Sequence, residues 1–215
     1  MVKRLSPQLR KEFFSIPNIL TYVRIGSIPI ILFFLFLSEK KVTGSVQASQ
    51  WLCFVAFLLF VASAVTDYLD GWIARNYNMG TLVGKFIDPV ADKMIVLATL
   101  ITLVELRRVE AWITVLILLR EMSISALRTL ALADGLHIDV VKAGKYKTAF
   151  QLFGILGLIL HYTYELPLVP WSINFHLVGR TLIIISLIFS FQSAWSYFRK
   201  FVRSITEKYE EREGA

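Results

Sequence analysis

Four aspartates in the first half of the chain have the residue type and the spacing to bind divalent metal ions. Asp67 and Asp70 are three residues apart and Asp88 and Asp92 are four apart, so each pair lies on one face of a helix. Four carboxylates cannot share a small apolar cavity as four negative charges, so either some are protonated or cations are bound. Oxygen ligands favour Mg²⁺ or Mn²⁺, and two-metal sites commonly serve phosphoryl chemistry.

Small residues and an arginine accompany the aspartates. Gly71 follows Asp70, and Ala74 lies one turn further along the same predicted helix. Arg75, at the end of that helix, can contact a phosphate, and Gly84 precedes the next helix, where a missing side chain lets a ligand approach the backbone. Close packing between membrane helices also favours small residues and is the alternative interpretation.

The elements that position these residues are strongly apolar. The 215 residues are 56% hydrophobic and 18% charged, with a mean hydropathy of +0.61. Soluble domains usually carry about a quarter charged residues, so this composition argues against an ordinary soluble enzyme and against disorder. The single cysteine, Cys53, excludes an intrachain disulfide or a Cys-rich metal site. A net charge of +7 is compatible with nucleic acid, but it is also expected beside a membrane.

Six apolar segments are long enough to cross a membrane as helices. They predict an all-α integral membrane protein with transmembrane helices at Ile19–Leu37, Trp51–Ala74, Phe86–Leu106, Trp112–Leu132, Tyr146–Tyr164 and Leu177–Phe198. With the N-terminus inside, most of the Lys and Arg residues fall on the cytoplasmic side, so both termini are predicted to be cytoplasmic. Residues 1–215 form one predicted domain. Residues 1–16 are predicted as an amphipathic interfacial helix, with a frayed tail as the alternative, and residues 200–215 as a cytoplasmic tail.

Both aspartate pairs lie near one end of two consecutive predicted helices, because the second helix ends near Arg75 and the third begins near Lys85. Two antiparallel helices joined by a short loop can bring all four carboxylates to one depth. Charged residues inside a span are costly unless they line a working cavity. The alternative is that the aspartates cap helix ends or pair with Arg75, Lys85 and Lys93.

The stretch Asp67-x2-Asp70-Gly71-x2-Ala74-Arg75-x8-Gly84-x3-Asp88-x3-Asp92 resembles the signature of the CDP-alcohol phosphotransferase family at every defined position. The resemblance implies a membrane enzyme, usually homodimeric, that moves a substituted phosphate from a CDP-linked donor to an alcohol and releases CMP. It implies that two Mg or Mn ions are bound by Asp67, Asp70 and Asp88, with Asp92 close to the metals and acting as general base. It also implies a CDP-binding set consisting of Asp67, Asp70, Gly71, Ala74, Arg75 and Gly84.

Further segments resemble the glycerophosphate branch of this family. They are Pro17-Asn18-x-Leu20-Thr21-x2-Arg24, Gly84-Lys85-Phe86-x-Asp88-Pro89-x-Ala91-Asp92-Lys93, Arg120-Glu121-x-x-Ile124-Ser125-Ala126-Leu127-Arg128 and Gly144-Lys145-x-Lys147-Thr148. They imply CDP-diacylglycerol as donor, sn-glycerol 3-phosphate as acceptor, and a bacterial cytoplasmic membrane with the active site facing the cytoplasm. The expected partners are these two substrates and membrane lipids, and no nucleic acid.

The acceptor is a small dianion, so its phosphate needs cationic ligands. The predicted ligands are Arg120, Arg128, Lys145 and Lys147. The alternatives are that Arg120 pairs with Glu121 or an aspartate, and that the two lysines merely set the topology. Thr21 and Arg24 are additional candidates for contact with a lipid phosphate, with helix anchoring as the alternative.

Two competing functions remain open at this point. One is a transferase of the same family with another acceptor: phosphatidylglycerol, inositol phosphate or serine. The other is a cation transporter, because intramembrane aspartates often coordinate ions. The position of all four aspartates near one membrane face, and the lack of an inverted repeat in the sequence, argue against a transporter.

Overall fold

The computed structural model describes residues 15–76, 82–135, 142–165 and 172–213, and within them it leaves out the side chains of 16, 17, 68, 70–75, 82, 83, 85, 86, 89, 142, 143, 165 and 211–213. These residues are almost entirely helical. The helices are α1 (Ile16–Leu37), α2 (Lys40–Thr43), α3 (Val46–Asn76), α4 (Leu82–Glu105), α5 (Ala111–Ala133), α6 (Lys142–Leu160) and α7 (Phe175–Glu213). A short antiparallel hairpin, β1 (Thr163–Glu165) and β2 (Ser172–Asn174), joins α6 to α7.

Each predicted apolar segment corresponds to one of the six long helices. Most helices extend a few residues beyond the predicted bounds, and α7 continues through most of the predicted tail to Glu213. The predicted end of the fifth span at Tyr164 is wrong, because α6 ends at Leu160 and Tyr164 belongs to β1. Helix α4 ends at Glu105, one residue before its predicted end. The predicted interfacial helix falls on residues 1–16, of which 1–14 lie outside the described part of the chain. The hairpin was not predicted, because strands of three residues are too short to show an alternating pattern.

Three helices among the described residues are long and apolar enough to cross a membrane, over Asn18–Leu37, Val46–Asp67 and Phe175–Glu210. The other long helices carry the charged residues that the sequence singled out: Asp88 and Asp92 in α4, Arg120 and Arg128 in α5, and Lys145 and Lys147 in α6. Large apolar side chains such as Val23, Phe33 and Trp51 are exposed. Extensive exposed apolar surface of this kind marks a membrane protein.

The chain divides into two compact units, with the boundary between Leu106 and Arg107. In the first unit, α1 packs against α3 and α4. Its core includes Leu35 from α1 and Phe60 from α3. Cys53 is also fully buried in this unit.

In the second unit, α6 and α7 pack closely through glycines. A Cβ added at Gly157 would lie 2.7 Å from the Cα of Gly179, so the two backbones approach too closely for larger residues. Arg108 is buried and donates to the carbonyl oxygens of Leu158 and Ile159, at 3.4 and 2.8 Å. These bonds satisfy carbonyl groups at the end of α6 that have no partner within the helix.

Candidate functional site

Three helices of the first unit bring together the predicted aspartates whose side chains are described. Asp67 lies in the C-terminal half of α3, and Asp88 and Asp92 lie in the N-terminal half of α4. From α1, Nη1 of Arg24 lies 2.5 Å from Oδ1 of Asp67 and 2.5 Å from Oδ1 of Asp92. One guanidinium therefore links carboxylates that belong to two different helices.

A second side-chain contact joins α1 to α4. The hydroxyl of Thr21 donates to Oδ1 of Asp88 at 2.7 Å. Thr21 and Arg24 are three residues apart, and Asp88 and Asp92 are four apart, so each pair occupies one face of its helix. We call Thr21, Arg24, Asp67, Asp88 and Asp92 the aspartate cluster.

The cation of the aspartate cluster is buried and two of its carboxylates are accessible. The side chain of Arg24 is 1% exposed, whereas those of Asp67 and Asp92 are 44% and 50% exposed. The cluster contains three carboxylates and one guanidinium, so it keeps an excess of negative charge. An accessible set of carboxylate oxygens with negative charge to spare is suited to hard divalent cations.

Several predicted residues of this site lie outside what the structure describes. Asp70, Gly71, Ala74 and Arg75 belong to the last turns of α3, but their side chains are among those left out. Gly84 is buried in α4. Among the described residues, no group of three or more His, Cys, Asp or Glu residues is placed to hold a metal ion, and Asp70 is not in that set. The four-aspartate metal set stays a prediction.

The second unit contains a cationic cluster around Glu121. Oε1 of Glu121 contacts the ammonium of Lys147 on α6 and lies 3.8 Å from Nη1 of Arg120. Nε of Arg120 donates to the backbone carbonyl of Ser190 on α7 at 3.1 Å. We call Arg120, Glu121 and Lys147 the Glu121 cluster.

Only two of the four predicted acceptor ligands take part in the Glu121 cluster. The side chains of Arg120 and Lys147 are 9% and 8% exposed, whereas Arg128 and Lys145 are exposed. The pairing of Arg120 with Glu121, considered above as an alternative, is present. It does not balance the charge, because one carboxylate faces two buried cations.

The sequence did not predict that Arg24 would bind the aspartates. Thr21 and Arg24 were candidates for a lipid phosphate or for helix anchoring, and their partners are instead Asp67, Asp88 and Asp92. The available signal was that an arginine within an apolar segment needs a carboxylate or another anion.

Two histidines that are far apart in the sequence lie side by side. Nδ1 of His161 is 3.2 Å from Nδ1 of His176, where the hairpin connects α6 and α7. The three histidines of the sequence have no spacing typical of metal ligands, so the sequence alone indicates no role for them. The contact is local to the α6–α7 connection.

Comparison with known proteins agrees with the motif. The family model for CDP-alcohol phosphatidyltransferase matches residues 14–192, and the chain belongs to this family. A protein of Bacillus subtilis (strain 168), 34% identical over 191 residues, covers 87% of this chain and 95% of its own length. A protein of Rickettsia bellii (strain RML369-C) is 32% identical over 187 residues, which cover 86% of this chain and 94% of that protein.

Both bacterial relatives are named CDP-diacylglycerol--glycerol-3-phosphate 3-phosphatidyltransferase. A protein of Oryza sativa subsp. japonica, named cardiolipin synthase (CMP-forming), is 30% identical over 207 residues, which cover 88% of this chain and 60% of that protein. The resemblance found in the sequence is confirmed, and the chain is a CDP-alcohol phosphatidyltransferase of phospholipid biosynthesis.

Proposed function

We propose that this enzyme is a phosphatidylglycerophosphate synthase, which transfers the phosphatidyl group of CDP-diacylglycerol to sn-glycerol 3-phosphate and releases CMP. The observation that carries the proposal is the aspartate cluster, with Asp67, Asp88 and Asp92 gathered on Thr21 and Arg24. It occurs in a chain whose bacterial relatives of similar length are named for this transfer.

The donor site consists of the aspartates and the small residues beside them. Asp67, Asp70 and Asp88, with Asp92 nearby, would hold two divalent cations, Mg²⁺ or Mn²⁺. Held there, such ions would supply Lewis-acid polarisation of the phosphoryl oxygens and charge compensation for the departing CMP. Gly71, Ala74, Arg75 and Gly84 line the CDP pocket.

Asp92 is the general base. Its Oδ1 is held by Arg24, so the carboxylate has a fixed orientation while about half of its surface stays accessible. The acceptor hydroxyl gives its proton to Asp92 as its oxygen attacks the phosphorus of the phosphatidyl group. The bond from that phosphorus to the CMP oxygen breaks, and CMP leaves. No covalent enzyme intermediate forms.

The acceptor phosphate binds to the cations of the second unit. Arg120 and Lys147 are buried with one carboxylate between them, so they retain positive charge for a dianion. Arg128 and Lys145, which are exposed, complete the set of phosphate ligands.

The chain is proposed to be a single domain with six membrane spans. Six long helices at the six apolar segments support this count. The excess of Lys and Arg on one side places both termini in the cytoplasm, with residues 1–16 lying along the inner leaflet. The active site faces the cytoplasm of a bacterium, and the enzyme is a homodimer in the inner membrane.

Membership of the family makes a transferase, rather than a cation transporter, the function to test. Among the relatives named here, the Oryza sativa protein favours a phosphatidylglycerol acceptor, and the match covers 60% of that protein. Inositol phosphate and serine, the other acceptors considered from the sequence, gain no support from the relatives named here.

The deciding experiment measures CMP release by protein purified in detergent. CDP-diacylglycerol is supplied with Mg²⁺ or Mn²⁺, or with a chelator, and the acceptor is glycerol 3-phosphate, phosphatidylglycerol, inositol phosphate or serine. We expect metal-dependent release with glycerol 3-phosphate alone. Release with another acceptor would overturn the substrate assignment and keep the transferase. Release that persists in the chelator would overturn the metal assignment.

A further inference from the structure

Among the buried polar atoms of the second unit that have no hydrogen-bond partner in the described residues, two lie on the packed helices α6 and α7. They are the amide oxygen Oε1 of Gln151 on α6 and the hydroxyl Oγ of Ser190 on α7. Gln151 is 5% exposed and Ser190 is 1% exposed. A buried polar atom without a hydrogen bond lowers stability, so such atoms in a folded protein call for an explanation.

Both residues adjoin the Glu121 cluster. Gln151 follows Lys147 by four residues, so the two lie on one face of α6. Ser190 supplies the backbone carbonyl that accepts the hydrogen bond from Nε of Arg120. The stacked rings of Phe150 and Phe189, 5.4 Å apart, place the two residues at the same level of the α6–α7 pair.

Ser190 departs from what a serine in an apolar helix normally does. Such a hydroxyl usually donates a hydrogen bond to the backbone carbonyl three or four residues earlier in its own helix. Ser186, one turn before Ser190, does so by donating to the carbonyl of Ile183 at 2.7 Å. The hydroxyl of Ser190 makes no such bond among the described residues.

The net positive charge of the Glu121 cluster favours binding of an anion, and the unpartnered groups of Gln151 and Ser190 can hydrogen-bond a hydroxyl. Arg120 and Lys147 share one carboxylate, so one positive charge is left in a largely buried setting. Gln151 Oε1 accepts hydrogen bonds, and the Ser190 hydroxyl donates or accepts them. A small molecule that carries both a phosphate and a free hydroxyl would satisfy all four side chains.

We propose that Gln151 and Ser190 determine acceptor specificity by binding the C2 hydroxyl of glycerol 3-phosphate, while Arg120 and Lys147 hold its phosphate. This inference rests on the proposed function and names residues that the motif does not contain. The C1 hydroxyl remains to attack phosphorus, so the two polar side chains recognise the one acceptor group that does not react.

The test compares glycerol 3-phosphate with propane-1,3-diol monophosphate, which keeps the phosphate and the attacking hydroxyl but lacks the C2 hydroxyl. The analogue loses two hydrogen bonds, each worth about tenfold, so we expect kcat/KM to favour glycerol 3-phosphate by about 100-fold. In Gln151→Met and in Ser190→Ala we expect this ratio to fall by about tenfold each, with the KM for CDP-diacylglycerol unchanged.

Ser186→Ala is the matched control, because Ser186 is equally buried on the same helix and its hydroxyl is already bonded. Its acceptor ratio should equal that of the unmodified enzyme. Gln151→Met removes an unpartnered polar atom, so the empty protein should melt at the same temperature or higher while it loses discrimination. A damaged fold would instead lower the melting temperature and affect both acceptors alike.

The outcomes separate this inference from the proposed function. An unmodified enzyme that uses glycerol 3-phosphate but does not discriminate against the analogue would overturn the inference alone. So would variants that keep the full ratio. An enzyme that releases no CMP with glycerol 3-phosphate would overturn the proposed function, and the inference with it.

Discussion

The buried guanidinium of Arg24 is the feature on which the aspartate cluster depends. Its Nη1 contacts Asp67 and Asp92, and the neighbouring Thr21 holds Asp88. Carboxylates on separate helices repel each other, and an internal cation offsets this repulsion at a fixed place. Asp67 and Asp92 can therefore lie close together before any other cation is present.

Replacing Arg24 is expected to cost stability. In Arg24→Gln the carboxylates lose their shared cation, and we expect a loss of about 1–3 kcal/mol, moderated by the partial exposure of both aspartates. Arg24→Lys should recover part of this loss, because it keeps the charge but cannot present a planar fork. Thermal unfolding in detergent measures the effect. Added Mg²⁺ should raise the melting temperature of Arg24→Gln more than that of the unmodified protein, and an equal rise would contradict the charge argument.

Asp92→Asn is expected to separate binding from catalysis. The amide keeps the size of the side chain and an oxygen for Arg24, but it cannot accept the acceptor proton. We expect CMP release to fall by about 100-fold or more, while CDP-diacylglycerol still raises the melting temperature. A nearly normal rate would refute the assignment of Asp92 as base.

The long helices can be predicted from hydropathy, but the side of each helix that faces its neighbours cannot. A helix in lipid is apolar both where it packs and where it meets lipid, so the pattern that shows the buried face of a soluble helix is weak here. The sequence therefore predicted six segments with useful bounds, but not that α1 turns Thr21 and Arg24 toward the aspartates. For the same reason it could not show that Lys147 is buried while Lys145, two residues earlier, is exposed.

The contact between α6 and α7 is expected to tolerate no side chain at Gly157. The added methyl group of Gly157→Ala would meet the backbone of Gly179, which cannot move aside as a side chain would. We expect a loss of about 1–3 kcal/mol, seen as a lower melting temperature. Gly26→Ala in α1 is the control, because a Cβ there has nothing within 4 Å and alanine favours a helix. If the two variants melt alike, the close approach of the backbones is not limiting.

At the scale of the whole molecule, the orientation in the membrane is predicted from charge alone. Hydropathy identifies the long apolar helices, whereas their sidedness is predicted from the distribution of the Lys and Arg residues. The family could be recognised in the sequence from the spacing of the aspartate motif, and the family model that matches residues 14–192 confirms it. The partners of Arg24 and of Arg120 could not be predicted from the sequence, because they depend on contacts between helices.

Cysteine labelling of intact cells tests the orientation. Cys53 is buried, so a thiol reagent should label newly placed cysteines with little background. We expect Lys41→Cys, between α1 and α3, to react from outside, and Glu210→Cys, near the end of α7, to react only after the cells are permeabilised. The reverse pattern would contradict cytoplasmic termini, and labelling of both sites from outside would contradict an even number of spans.

The length of α7 gives the enzyme a mechanical connection between its interior and its surface. This helix runs unbroken from Phe175 to Glu213, and near its end Lys208 donates to the backbone carbonyl of Asp134 at 2.6 Å. Ser190 and Lys208 are separated by five full turns, roughly 27 Å, so they point in the same direction from the helix axis. A rigid-body rotation of α7 about its axis would turn Ser190 and Lys208 through the same angle. A spectroscopic probe attached near Lys208 would register events at Ser190 without touching either substrate.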